Sequence, residues 1–374
     1  MSLEMDPEVA KNLLTEGATL VFLDVPKNTE VGIDMNSWTV GEKFKGIKMI
    51  PPGIHFIYYS AVSKEGQVAP RTGFFHVFRR KELLVKNYDP HLEDIPPEPP
   101  HPNLVQRLKD NLKELDCFLG PFPYDSWKKW ISLTGHISED LIKNQEPICG
   151  KISSAPNLIP FTNEERKQLQ RDWIPPDFSN RGPGWEEKLL PQMKKVPGME
   201  MRFTPLPEKR YPQGSTPAEI TKHCMDSSFC LDKMLENHRI PEDLLGEFQL
   251  AFVCFLVGYV YEAFEHWKQL IQLFTTCDEA LKTRPEFFLQ FISTLHFQMK
   301  EVPSDFFTDI VAGKNFLRDC LHTFFANINA TGDVLDAKLR TRAQKFREHV
   351  EATFEWEFSE EGEEDLPVIV EDVT

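Results

Sequence analysis

Two periodicities divide the chain. Between Ala18 and Lys86 apolar or β-branched residues alternate with polar ones, which predicts short half-buried strands at Ala18–Val25, Glu30–Asp34, Phe44–Ile50, Ile54–Tyr59, Thr72–Phe78 and Leu83–Lys86. Pro7–Glu16 reads as an opening helix ended by Gly17, and Pro52–Gly53 suits a type II turn before the aromatic strand. The last two strands are expected to pair as a hairpin around Arg79–Glu82. About seven short strands in some ninety residues point to a β-sandwich or a partly open barrel.

A helical period then takes over. Asn103–Leu119 places Leu104, Leu108, Leu112, Leu115 and Leu119 on one face and is stopped by Gly120–Pro121, and Tyr124–Leu133 presents Trp127, Trp130 and Ile131. From Glu146 to Gly214 no period persists except at Asn163–Trp173, which opens with a capping box at Thr162 and Glu165. Thr216-Pro217-Ala218-Glu219 combines an N-cap, a proline at the first helical position and the capping-box acid. Helices are predicted from there at Pro217–Asn237, Pro241–Val257, Tyr259–Thr275, Pro285–Met299, Ser304–Asn327 and Asp333–Phe354. Val260, Phe264, Trp267, Ile271 and Phe274 form one apolar stripe, and Leu244–Val257 is apolar almost all round, the mark of a central buried helix.

The fold class that follows is a two-domain α+β protein. Residues 1–145 make a β-rich N-terminal domain with flanking helices, 146–214 a proline- and glycine-rich linker or excursion, 215–355 an all-α bundle or superhelix, and 356–374 an acidic tail. Within that tail Leu366, Val368, Ile369 and Val370 form a β-prone segment expected to dock as a strand on a partner, and Ser359 sits in an acidic run as a candidate phosphorylation site.

The formal net charge of −16 argues against a broad electrostatic grip on nucleic acid, and Glu355–Thr374 holds nine acids and no lysine or arginine. Arg79-Arg80-Lys81 and Lys43, Lys45 and Lys48 are the best basic patches, with Trp38, Phe74, Phe75 and Phe78 as the aromatics that would stack bases; they read more simply as surface charge and strand core. Seven scattered cysteines without a C-x-x-C fit a reducing compartment. The N-terminus lacks a signal pattern and Leu250–Val257 is too short to span a membrane, so a soluble intracellular protein without membrane contact is expected.

Catalytic signatures are missing. Gly41 and Gly46 have half of a phosphate-loop spacing, but Ile47 and Lys48 stand where Lys and Ser/Thr are needed. His223, Cys224, Cys230 and His238 are spaced for no common zinc site, and His266, His296, His322 and His349 are isolated on helices. No cofactor, metal or catalytic residue is therefore expected. A hydrolase would need Asp34, His55 or His76 to converge in a pocket with a second titratable group.

The residues GID…SW.VG.KF.GIKMIPPGIHF (Gly32–Phe56), FLGPFPY (Phe118–Tyr124), KKWISLT (Lys128–Thr134), TPAEITKH (Thr216–His223), GEFQLAFVCFLVG…YEAFEHWK (Gly246–Lys268) and PSDFF (Pro303–Phe307) resemble the Aar-two family of U5 small nuclear ribonucleoprotein assembly factors. The resemblance covers nearly the whole chain and is weakest over 146–201. It implies a non-enzymatic chaperone of pre-mRNA splicing whose helical domain resembles the VHS adaptor fold. It also implies binding to the large central U5 scaffold (the Prp-eight protein), particularly its C-terminal domains, and to U5 particle proteins. Such a factor holds off the RNA helicase during cytoplasmic maturation and is replaced in the nucleus. The runner-up is a helical adaptor for short peptide motifs, unrelated to splicing. Limited proteolysis checks the domain reading: first cuts are expected within 146–214, and first cuts inside Leu244–Val257 would overturn it.

Overall fold

The computed structural model describes residues 6–63, 65–155, 158–160, 193–302, 308–309 and 314–358. Leu366, Val368, Ile369, Val370 and Ser359, the helix expected at Asn163–Trp173 and the Pro303–Phe307 motif lie outside the described residues. The strands are β1 Ala18–Leu23, β2 Glu30–Ile33, β3 Asn36–Thr39, β4 Gly46–Ile50, β5 Gly53–Ser60, β6 Thr72–Phe78, β7 Leu83–Asn87, β8 Leu119–Pro121, β9 Ile152–Ser153, β10 Leu158–Pro160, β11 Met193–Lys195, β12 Thr308–Asp309 and β13 Lys314–Asn315, the last two pairing antiparallel where the helix Ser304–Asn327 is expected. The helices are α1 Pro7–Glu16, α2 Pro102–Asp110, α3 Leu112–Leu115, α4 Trp127–Thr134, α5 Glu139–Gln145, α6 Pro217–Met225, α7 Ser228–Leu235, α8 Pro241–Leu256, α9 Tyr261–Thr275, α10 Glu279–Thr283, α11 Pro285–Met299, α12 Phe316–Thr331 and α13 Ala337–Phe354. A β-sheet region and a helical region give the α+β class expected from the periodicities.

The contacts group into two compact units that are discontinuous in sequence. The first comprises Met1–Asp125, Ile142–Arg202 and Cys254–Glu262; the second comprises Ser126–Leu141, Phe203–Val253 and Ala263–Thr374. The tryptophan-bearing helix α4, placed by sequence among the flanking helices of the β-rich domain, thus clusters with the helical unit, where it packs on α11. Trp130 is buried there, and Ile131 is left exposed.

The β unit holds a four-stranded sheet in the order β7-β1-β4-β8 and a five-stranded one in the order β3-β2-β5-β6-β9. β1 runs parallel to β7 and is buried along its length, because it is covered on both faces. Val21 packs with Val85, Leu119 and the partly buried Val105, Leu108 and Leu112, whereas the next residue, Phe22, meets Tyr59 of the other sheet at 5.8 Å. The leucine face predicted for Asn103–Leu119 therefore covers a sheet. The helix itself breaks at Asn111, and its last residue, Leu119, opens β8. Gly46 carries φ 144 in β4, and a Cβ there would stand 1.9 Å from the Leu20 carbonyl oxygen, so the paired strands approach at a point only glycine fills.

The expected hairpin of β6 with β7 does not form. β6 pairs with β5 and β9, while β7 crosses to the edge of β1, with Thr19 N–H donating to the Glu82 carbonyl. Four residues suffice either to turn a hairpin or to change sheets, and alternation is the same in both. β3 fills the outer edge beside β2 through a tight turn with Asp34 at φ 53.

In the helical unit the continuous helix expected at Pro217–Asn237 is two. Asp226 interrupts it, its carboxylate accepting from Ser228 N–H, Ser228 Oγ and Asp278 N–H at 3.0, 2.6 and 3.0 Å. Burial opposes the ionisation of Asp226, but these donors hold its carboxyl below the usual range. Helix α8 is the central one, buried from Leu244 to Cys254. Around it phenylalanines make the core: Phe248 stacks on Trp267 with ring centres 6.0 Å apart, Phe274 meets Phe291 edge-on at 5.2 Å, and Phe291 meets Phe324 at 5.8 Å. The predicted stripe on α9 is buried, Phe264 only partly, with Ala263, Leu270 and Leu273 widening it.

Trp267 is 1% exposed and donates from Nε1 to Gln298 Oε1 at 2.9 Å. Replacing it with alanine is expected to remove about 3–5 kcal/mol of stability. The denaturant midpoint reads this, and an unchanged midpoint with lost partner binding would make Trp267 an interface residue instead.

Candidate functional site

Asp34 and His55, the two titratable residues of the Gly32–Phe56 stretch, do converge. The His55 Nδ1 lies 2.7 Å from Asp34 Oδ2, its Nε2 lies 2.8 Å from the Pro51 carbonyl oxygen, and Asp34 Oδ1 accepts from Phe56 N–H at 3.0 Å. Both side chains are fully buried, and the imidazole is walled by Phe78 and Phe122 at 5.6 and 5.3 Å. Burial raises the Asp34 carboxyl above its ordinary range, with His55 and the Phe56 amide opposing that rise. Every polar atom of the pair is engaged, so it clips the β2–β3 turn to the Pro51–Pro52 bend. His76, paired in register with His55 across β5 and β6, makes a separate contact with Glu82 at 2.7 Å. The convergence a hydrolase would need has no solvent access.

The zinc candidates do not come together as a ligand set among the described residues. His223 rests on Phe229 at 5.6 Å, Cys224 is exposed, Cys230 is buried, and His238 reaches a glutamate of α8. Among the described residues no cluster of His, Cys, Asp or Glu is arranged to hold a metal ion. The basic patches are likewise divided: Lys48 pairs with Asp116 at 2.7 Å and Lys81 with Glu16 at 2.8 Å. Of the aromatics proposed to stack bases, Phe74, Phe75 and Phe78 are core and Trp38 alone is exposed. No helix among the described residues is long and apolar enough to cross a membrane.

Two arrangements escape sequence reading. In the β unit Arg71 is sandwiched between Tyr58 and Tyr259 at 4.3 and 4.2 Å, pairs with Glu30 at 2.8 Å and donates to the Val257 carbonyl at 2.6 Å. It thereby fixes the Cys254–Glu262 segment to β2 and β5. In the helical unit Gly246, Glu247 and Gln249 put one bare face and two polar side chains on a fully buried helix. A Cβ at Gly246 would stand 2.4 Å from the His136 carbonyl oxygen, and Gln249 Oε1 accepts from His136 N–H at 2.7 Å. Glu247 accepts from Thr204 N–H and His266 Nε2 at 2.7 Å each and from Thr204 Oγ1 at 2.8 Å, while His238 Nε2 lies 3.3 Å away, off the hydrogen-bond direction. His266 also stacks flat on Phe203 at 4.5 Å.

Burial pushes the Glu247 carboxyl up, but the His238 and His266 imidazoles and Thr204 outweigh it and hold it down at about 2. A carboxylate lowered on folding from 4.5 contributes stability that is complete above the unfolded value and lost as pH falls through the folded one. The contribution is about 3 kcal/mol. The stability gap between the parent and Glu247→Gln, read by urea unfolding, is therefore expected to close between about pH 5 and about pH 2. A gap that stays constant would show that Glu247 is not the group responsible.

The motifs that bring these residues together extend to known proteins. Residues 16–147 match the family described as the AAR2 N-terminal domain, and residues 203–359 match the AAR2 C-terminal repeat region. "Protein AAR2 homolog" from Homo sapiens is 44% identical over 376 aligned residues, covering 99% of this chain and 97% of the relative. The Mus musculus protein of that name is 43% identical with the same coverages, and the Caenorhabditis elegans one is 36% identical over 95% of this chain and 98% of the relative. With both domain descriptions matched in order and relatives aligned nearly end to end, the chain belongs to the AAR2 family.

Proposed function

We propose that this protein is a non-enzymatic assembly chaperone of the U5 small nuclear ribonucleoprotein in pre-mRNA splicing. It binds the large central scaffold, the Prp-eight protein, and blocks premature binding of the helicase, acting in the cytoplasm during particle maturation and giving way in the nucleus. The observation that carries this reading is membership of the AAR2 family through both domains. The buried polar clusters are compatible with it, because Asp34, His55, Glu247 and His266 have their hydrogen-bonding capacity directed to this chain's own backbone and side chains.

The tail supplies the contact in this reading. Leu366, Val368, Ile369 and Val370 add as a strand to an open sheet edge of the scaffold's C-terminal domains, main-chain bonds giving affinity and alternate side chains specificity. Pro367 lacks a donor and so takes the start of the strand or faces away. Ser359, within the acidic run, is the residue where phosphorylation would add charge beside that strand.

Affinity purification from cells is expected to recover one giant splicing scaffold as the dominant partner; many unrelated short-motif proteins would favour the peptide-binding adaptor. Deleting Leu366–Thr374 is expected to weaken binding to the scaffold's C-terminal domains without moving the melting temperature. Unchanged affinity would reject the docking strand.

A further inference from the structure

One groove of the helical unit is basic although the protein as a whole is strongly acidic. It runs between α11 and α13 as two adjoining cavities of about 350 and 320 Å³ that share His296, Phe346 and His349. Its floor is apolar, with Ile292, Met299, Phe346 and Val350 buried. Its rim is Lys300, Arg342, Lys345 and His349, all exposed, and among the described residues no carboxylate lines either cavity. Among the described residues Lys300, Arg342 and Lys345 form no ion pair, unlike Lys129 and Lys233 elsewhere on the unit. Glu348, next to the groove on α13, accepts instead from Gln344 at 2.9 Å. Burial, together with Lys300, His349 and Arg342, holds His296 down at about 4, as expected where neighbouring charges share one sign.

The chain leaves α13 at the end of this groove. Phe354, the last helical residue, lines it; Glu355 then reverses the backbone at φ 56, and Trp356 stacks back on Phe354 at 5.0 Å. Phe358 is buried against Phe325 at 5.0 Å and its carbonyl accepts from Arg347, so the described chain ends at a point fastened to α12 and α13. Extended, the residues beyond Phe358 reach about 50 Å, whereas Arg342–Thr353 spans about 16 Å of helix. Five acids come first, Glu360, Glu361, Glu363, Glu364 and Asp365, followed by Leu366, Val368, Ile369 and Val370. Acidic then apolar is the order of chemistry that a cationic rim over an apolar floor receives.

We propose that the acidic tail Ser359–Thr374 docks in the basic groove between α11 and α13 of its own chain. Tethering makes the encounter intramolecular, at an effective concentration of order millimolar, so a contact too weak to hold a free peptide is occupied here. The tail is then covered in the isolated protein, and any partner that takes it must first displace it from this groove. The inference rests on the groove and the tail alone, so its failure leaves the scaffold reading untouched.

Carbodiimide coupling of the full-length chain, which joins a lysine amine to a carboxylate in contact with it, tests the proposal. Coupling of Lys345 or Lys300 to the Glu360–Asp365 run is expected within the monomer. It should be lost at roughly 1 M salt, where screening leaves a Debye length of about 3 Å. Arg342→Glu should lower the Lys345 yield by roughly five- to tenfold while leaving the melting temperature unchanged. Coupling spread over lysines outside the groove, or no tail coupling at all, overturns the proposal. Coupling found only between two copies assigns the groove to a second chain, and groove lysines protected only by an added binding protein assign it to that partner; either result also overturns it.

Discussion

A helix buried on every side has no solvent to satisfy its polar groups, and α8 turns that constraint into architecture. Its central polar side chains face segments far away in sequence: Gln249 takes the His136 amide, and Glu247 takes Thr204 and His266. A buried ionised carboxylate is costly unless fully hydrogen-bonded, and Glu247 has donors on both oxygens. The acid therefore selects one placement of the Phe203–Thr204 segment and one rotamer of His266, and removing any donor leaves a charge in the core. The aromatic packing around Phe248 and Trp267 supplies cohesion without direction, and the polar contacts supply the register.

The β unit solves a related problem with a buried carboxyl–imidazole pair and a cation. Asp34 and His55 sit where the β2–β3 turn passes under the Pro51–Pro52 bend, and between them they satisfy a backbone amide and a backbone carbonyl that no strand reaches. Arg71 has the opposite task. Its guanidinium lies between two tyrosine rings and its donors reach Glu30 and the Val257 carbonyl, a geometry that a lysine ammonium would not reproduce.

Most elements were legible because each covers a sheet or a core with one face. The strand at Thr72–Phe78 follows from its period, whereas the strand at Ile54–Tyr59 and the buried helix at Leu244–Val257 follow from dense apolar runs. What period does not encode is the partner of an edge. Adjacency in sequence points to β6 as the mate of β7, yet the free edge that accepts it belongs to β1. The break at Asp226 was hidden because His223 to Leu235 keeps helical spacing across it, and only the tertiary donors from Asp278 and Glu279 make an interruption favourable. Glu247 and His266 were opaque for a different reason. A glutamate or histidine on a helix is ordinarily solvated, and only three-dimensional convergence shows that the two stand together inside.

The stretches that carry the family likeness lie largely in these interiors. Ile33, Asp34, His55 and Phe56 are buried in the β unit, as are Phe248, Phe252 and Trp267 in the helical one. They specify how the chain folds, and their side chains are spent on internal contacts. Specificity for a partner must then be carried by residues that the fold does not consume. Among the described residues such positions include the exposed Trp38, Ile131 and Met225 and the cationic rim of α11 and α13. A rim of unpaired cations on a molecule of net charge −16 runs against the protein's own average, so its pull on an anionic segment is local and is opposed by the acids elsewhere. The fold thus places these cations side by side, and it is this local rim, not the net charge, that suits an anionic segment.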